Sequence, residues 1–187
     1  FANKFDVPVR VLSSFNDGNG TLISLGEENM ENALVSGIAF QKDQVKFTLH
    51  GVGDIPGTAF KILGPISEAD IEVDVIVQNV SVDGKTDFTF TVSSDEQATV
   101  QNIIESIKKD VNFRELIIDS SIAKVSIVGA GMRSQAGVAS AAFRALSEND
   151  VNIQIICTSE IKITMVIDES LVEKAVQVLH DEFNLDE

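Results

Sequence analysis

Apolar residues recur at helical spacing in four stretches of the chain. Ala59, Ile62, Leu63 and Ile66 fall at i, i+3, i+4 and i+7, and Ala139, Ala142, Phe143 and Leu146 repeat that spacing. Each set places one apolar stripe on a helix. Val100, Ile103, Ile104 and Ile107 predict a third helix, and Val172, Ala175, Val176, Leu179 and Phe183 a fourth. Between them lie short β-branched runs that predict strands: Val45–His50, Ile71–Val80, Thr86–Val92, Leu116–Ile118, Lys124–Val128, Val151–Cys157 and Ile161–Ile167. Asp83-Gly84 marks a hairpin turn. Pro65 is the misfit, because a proline inside a helix removes a hydrogen bond and should kink it.

The pattern occurs twice. Gly51 and Gly53 match Gly129 and Gly131, and Gly57 matches Gly137 after a loop two residues longer. Asp70-Ile71 then matches Asp150-Val151, and Val73 matches Ile153. A repeated unit of this kind is the first organising feature to read from a chain. Each unit is β-α-β-β-α with a further strand supplied by a neighbour. This is the α+β, ferredoxin-like βαββαβ pattern, antiparallel sheets with helices on one face. The expected division is 44–119 and 120–187, with 1–43 completing the sheets through two apolar strands, Val7–Ser14 and Leu34–Phe40, chiefly in the second unit. The loop Asn16-Asp17-Gly18-Asn19-Gly20 is a strong turn signal.

Charge narrows the partners. The 187 residues carry 14 Lys+Arg against 29 Asp+Glu, a formal net charge of -15. A phosphate backbone needs a positive surface, so a nucleic-acid partner is not expected. No apolar run approaches the ~20 residues of a membrane span, and no leader is visible, so the expected compartment is the cytoplasm. The chain opens on Phe1 without an initiator Met, which suggests a fragment or processed chain. A single cysteine, Cys157, reads as a buried strand residue and precludes a disulfide framework within one chain. His50 and His180 lack metal-ligand spacing, so no metal or cofactor is expected.

The glycine loops carry the chemistry. Val128-Gly129-Ala130-Gly131-Met132 has the look of a dinucleotide turn, but Ser134 stands where the third glycine belongs and a hairpin follows instead of a crossover. A small dinucleotide enzyme is thus disfavoured. Backbone N–H groups at the start of a helix bind carboxylates, and Gly57 and Gly137 leave the approach open. A small zwitterion could set its carboxylate near Thr58-Ala59 or Val138-Ala139, its ammonium near Asp54 or Glu160. The bland alternative is that both loops are only tight turns and helix caps. No Ser/His/Asp or Cys/His constellation and no phosphate loop with lysine is present, so the chain is not expected to be an enzyme.

Several segments resemble the regulatory part of aspartate kinases. They include Pro8-Val9-Arg10-Val11, Gly20-Thr21-Leu22-Ile23, Gly51-Val52-Gly53-Asp54-Ile55-Pro56-Gly57, Gln78-Asn79-Val80-Ser81, Thr86-Asp87-Phe88-Thr89-Phe90, the Lys124–Met132 run and Thr158-Ser159-Glu160-Ile161. The resemblance spans essentially the whole chain and implies two ACT domains in tandem. It implies binding of L-threonine, L-lysine or both for feedback inhibition of aspartate phosphorylation, pairing of two chains through these domains, and association with a kinase domain or large catalytic subunit. A free-standing amino-acid sensor is the alternative. A threonine-type site is implied at Asp54, Gly57, Thr58, Ala59 and Gln78, with Asn152 and Ile153 from a facing unit. A lysine-type site is implied at Asp74, Asn79, Val80, Ser81, Met132, Val138, Ser159 and Glu160. Met132-Arg133-Ser134-Gln135 offers no acid equivalent to Asp54.

Overall fold

The computed structural model describes residues 7–15, 18–23, 35–79, 83–129 and 137–185. Its main body is one six-stranded antiparallel sheet of order β4-β5-β3-β6-β8-β7. The strands are β3 (Gly37–Gly53), β4 (Asp74–Gln78), β5 (Lys85–Ser93), β6 (Glu115–Val128), β7 (Ile153–Thr158) and β8 (Lys162–Asp168). The helices are α1 (Thr58–Glu68), α2 (Gln97–Ser106), the short α3 (Lys108–Val111), α4 (Val138–Glu148) and α5 (Val172–Phe183).

Two long strands hold the repeat together. The second half of β3 pairs with β5 and with Glu115–Asp119 of β6, and this gives the first lobe its four strands with β4. The first half of β3, Gly37–Gln41, instead lies beside Lys124–Val128 of β6. There it is the edge of the second lobe, which β8 and β7 complete. The second lobe thus borrows the first half of β3, which precedes the whole first lobe in sequence. The register slips around Gln44, next to Asp43 at φ +58, and the bulge turns β3 from one lobe into the other.

Period-two alternation sorts the side chains. Val45, Phe47 and Leu49 are fully buried under α1 and α2, with Phe88, Phe90 and Val92 across the sheet. Phe47 and Phe90 stack, with ring centroids 5.4 Å apart. Burying a ring of that size contributes about 1.5–3 kcal/mol. Ala123, Val125 and Ile127 do the same under α4 and α5, with Met165 and Ile167. Arg144 of α4 donates to Glu182 of α5 at 2.7 Å.

The opposite sheet faces are not all open. Val75 of β4 packs with Ile122 and Val166 of the second lobe. Lys124, Ser126 and Thr164 are buried on that same side, the latter two joined by a 2.9 Å hydrogen bond. The two lobes therefore also meet through their helix-free faces.

Two expectations need correction. Val7–Ser14 does not join the main sheet: Val9–Val11 (β1) pairs antiparallel with Thr21–Ile23 (β2) in a separate two-stranded sheet, because each finds its backbone partner in the other. Cys157 is exposed, since β7 is the edge strand of its lobe and the cysteine faces outward. Pro65 lies inside α1, which runs on to Glu68.

Candidate functional site

The loop between β3 and α1 is built from its glycines. Gly51, at φ +70, forms a bulge in β3 where the register with β5 shifts between Leu49 and Val52. Asp87 of β5 fastens it, accepting a hydrogen bond from the Gly51 N–H at 2.9 Å and pairing with His50 Nδ1 at 2.8 Å. That backbone N–H, opposed by partial burial and helped by His50, holds the Asp87 carboxyl below its ordinary range. Asp54 N–H then donates to Gly84 O, tying the loop to the β4–β5 turn.

Gly57 caps α1 at φ 91, a left-handed conformation that disfavours any side chain. A Cβ there would meet no atom within 4 Å, so the demand is for φ, and the space above the cap is open. Thr58 N–H is used by Ile55 O at 3.2 Å, and its hydroxyl donates to Gly53 O at 2.9 Å. Gly57 O accepts the first helical bond, from Lys61 N–H. The N–H groups of Ala59 and Phe60 are left at the helix start, where the dipole favours an anion. Asp54 is exposed beside them, with Oδ1 3.5 Å from Nε2 of Gln78 at the end of β4.

The structure therefore gathers Asp54, Gly57, Thr58, Ala59 and Gln78 at one end of the first lobe. Thr58 is occupied on both counts, its N–H by Ile55 O and its buried hydroxyl by Gly53 O. An exposed carboxylate beside two helix-start N–H groups is complementary to an α-amino acid, ammonium on one and carboxylate on the other. Asn152 and Ile153 stand elsewhere, at the start of β7, lining a cleft of about 490 Å³ with Phe143, Ser147, Asp150 and Val151.

Among the described residues, the members of the lysine-type set stand on separate elements. Val138 is a core residue, because it opens α4 on the apolar side of that helix. Asp74 is at the far end of β4 from Asn79 and is already held by Lys124, Nζ to Oδ2 2.6 Å. Its burial would raise its pKa, but the Lys124 ammonium and the Val75 N–H outweigh that and lower it. The Asn79 carbonyl accepts from the Thr86 hydroxyl. Ser159 and Glu160 are exposed in the β7–β8 turn, where Ser159 N–H donates to Lys162 O at 2.8 Å. Val80, Ser81 and Met132 lie outside the described residues.

Two features were not singled out from sequence. The Asp87–His50 clamp had one signal, a carboxylate alternating with Phe88 and Phe90 on the other face of β5. Lys124 had another, a charge followed two residues on by Ser126 in an otherwise apolar strand. Among the described residues, no group of three or more His, Cys, Asp or Glu is arranged to hold a metal ion. None of the described helices is long and apolar enough to cross a membrane.

Residues 125–183 match the ACT domain family. Over its full length the chain is 57% identical to an aspartate kinase of Pseudomonas fluorescens and spans 45% of that protein. The regulatory subunit of aspartate kinase from Thermus thermophilus, solved in a ligand-free form, superposes with a TM-score of 0.76 at 33% identity, covering 80% of this chain and 99% of that one. The aspartokinase III of E. coli, solved with lysine and aspartate in a T-state, superposes with a TM-score of 0.72 at 26% identity, covering all of this chain and 40% of that one.

Proposed function

Because this chain belongs to the aspartate kinase family, as kin of its regulatory subunits, we propose that it binds end-product amino acids and passes their presence to a kinase. The observation that carries the proposal is the first-lobe loop, where a left-handed Gly57 opens α1 with Asp54 and Gln78 beside it. L-Threonine is the effector assigned to this loop. Its carboxylate takes the Ala59 and Phe60 N–H groups and its ammonium meets Asp54. L-Lysine is assigned to a second site, formed with the β7–β8 turn at Ser159 and Glu160. In this reading the lobes are two ACT domains, 44–119 and 120–187, and 1–43 lends Gly37–Gln41 to the second.

Both sites are half-sites in one chain, open to solvent on the side where Asn152 and Ile153 of a second copy would close the first. The functional unit is therefore a homodimer in the cytoplasm that acts on a catalytic domain or subunit. The phosphoryl transfer from ATP to aspartate belongs to that kinase part. Effector binding shifts the kinase between states only by the difference in its affinity for them, typically about 1–3 kcal/mol.

Calorimetric titration with L-threonine and L-lysine, singly and together, tests the reading. Threonine is expected to bind the wild type and to lose at least about tenfold in affinity in Asp54→Ala, since a charge-assisted hydrogen bond contributes about 1.5–3 kcal/mol. Absence of binding by either amino acid would overturn it.

A further inference from the structure

β4 has a functional residue at each end and a strained residue between them. At its C-terminal end Gln78 lies against Asp54 in the effector loop, Nε2 to Oδ1 3.5 Å. At its N-terminal end Asp74 is bound by Lys124, which comes from the first strand of the second lobe. The ends are about 13 Å apart along the strand.

The far end is anchored unusually firmly. Lys124 is 4% exposed. A buried ammonium must be paired, and it is paired to a carboxylate of the other lobe. Asp74 is fixed further by its own neighbours: its Oδ1 accepts from Val75 N–H at 2.9 Å, and its carbonyl accepts from the Thr91 hydroxyl at 2.9 Å. Val75, on the next position, packs against Ile122 and Val166, which flank Lys124 and Thr164 on the second-lobe sheet. Its φ is +48, a region that a β-branched residue enters only under constraint from its surroundings. The register of β4 on β5 breaks at the same place, between Asp74 and Val77. Positive φ in a valine persists only where packing over-determines it.

We infer that the Lys124–Asp74 pair is the strut through which the first-lobe effector loop is coupled to the second lobe, with β4 as the rigid link and the Val75 bulge as its joint. The inference rests on the proposed effector site for its physiological meaning, but the mechanical coupling it describes exists without effector. Lys124 is thus a positioning residue: it touches no ligand and acts on Gln78 and Asp54 through β4. A second cross-lobe contact, from Lys46 Nζ to Gln154 Oε1, lies on the same helix-free face and steadies the arrangement without reaching the effector loop.

The test uses Lys124→Met, which keeps the aliphatic stem and removes the ammonium, and Asp74→Asn, which keeps the shape and removes the charge. Both are made in the intact natural protein that carries this chain. Amide hydrogen exchange without effector is read first. The expected result is a several-fold faster exchange at residues 54–60 and 76–79 in both variants, with the α2 and α5 amides unchanged. Change confined to residues 72–75 and 122–126, or uniform acceleration everywhere, would overturn the strut. Inhibition is read second. Lys124→Met should bind threonine within about threefold of wild type, keep the effector-free rate, and lose most of the synergy between threonine and lysine. Undiminished synergy in Lys124→Met would also overturn the inference. Failure of the wild type to bind either amino acid would sink the effector assignment, and the exchange experiment would still decide the strut.

Discussion

The two lobes repeat one architecture and treat its functional corner differently. In the first, β3 breaks at a glycine bulge clamped by Asp87 and His50, and Asp54 follows on a loop that ends in left-handed Gly57. In the second, Gly129 N–H simply continues the ladder to Ile161 O at 3.0 Å, and left-handed Gly137 opens a helix whose first side chain, Val138, is buried core. Both lobes keep the cap that presents N–H groups. Among the described residues, Asp54 stands as an acid beside the cap of the first. In the proposed reading both copies keep the helix start that suits an anion, and the exposed Asp54 carboxylate would make the first selective for a zwitterion. That is how two inequivalent sites can arise from one duplicated unit.

The largest effect should come from the cores. Phe47→Ala removes the stacked ring of the first lobe and Met165→Ala the central side chain of the second. Losses of about 3–5 and 2–5 kcal/mol are expected in urea unfolding. Because β3 and β6 run through both lobes, each variant should still unfold in one transition. Two separated transitions would show that the lobes are independent bodies.

Next come the acids. Glu160→Ala should weaken L-lysine by roughly tenfold or more and leave L-threonine within about threefold, the reverse of Asp54→Ala, as a lost charged contact predicts. Equal losses for both ligands in both variants would merge the two sites into one. Smaller again are the caps. Gly57→Ala and Gly137→Ala should each cost about 1–2 kcal/mol of stability, because both glycines are left-handed. Only Gly57→Ala should also reduce threonine affinity, and calorimetry beside thermal unfolding separates the two readings.

The smallest effect is a pH dependence. Asp74, Asp87 and Asp119 all have folded pKa values lowered from 3.8. A carboxyl whose folded pKa is depressed stabilises the fold above its unfolded pKa and loses that contribution as pH falls through the folded value. Stability should therefore be flat above about pH 5 and decline below pH 4. Asp74→Asn should show a shallower decline than wild type.

The sequence made the helices readable because their stripes face one core each: Ile62 and Ile66, Val100 and Ile104, Ala142 and Leu146 are all buried. The phase of α1 was off by one residue at its start, where Thr58 is buried and Ala59 exposed. The reason is a hydroxyl that finds Gly53 O, a contact no hydropathy pattern encodes. The continuity of β3 and β6 was hidden by Gln41–Gln44 and Asp119–Ser121. These polar runs read as breaks and are in fact bulges within strands. The Asp54 corner was legible from Gly-x-Gly and the following helix, both local features. The burial of Lys124 and Val138, and the exposure of Cys157, depend on which face meets which neighbour, and so appear only in three dimensions.

The most direct test of the central claim is an amide-resolved NMR titration with L-threonine. The account predicts that the Ala59 and Phe60 N–H signals move first and furthest, followed by Asp54 and Gln78, with these shifts abolished in Asp54→Ala. Saturable shifts centred on residues 159–162, with the α1 start unmoved, would contradict it.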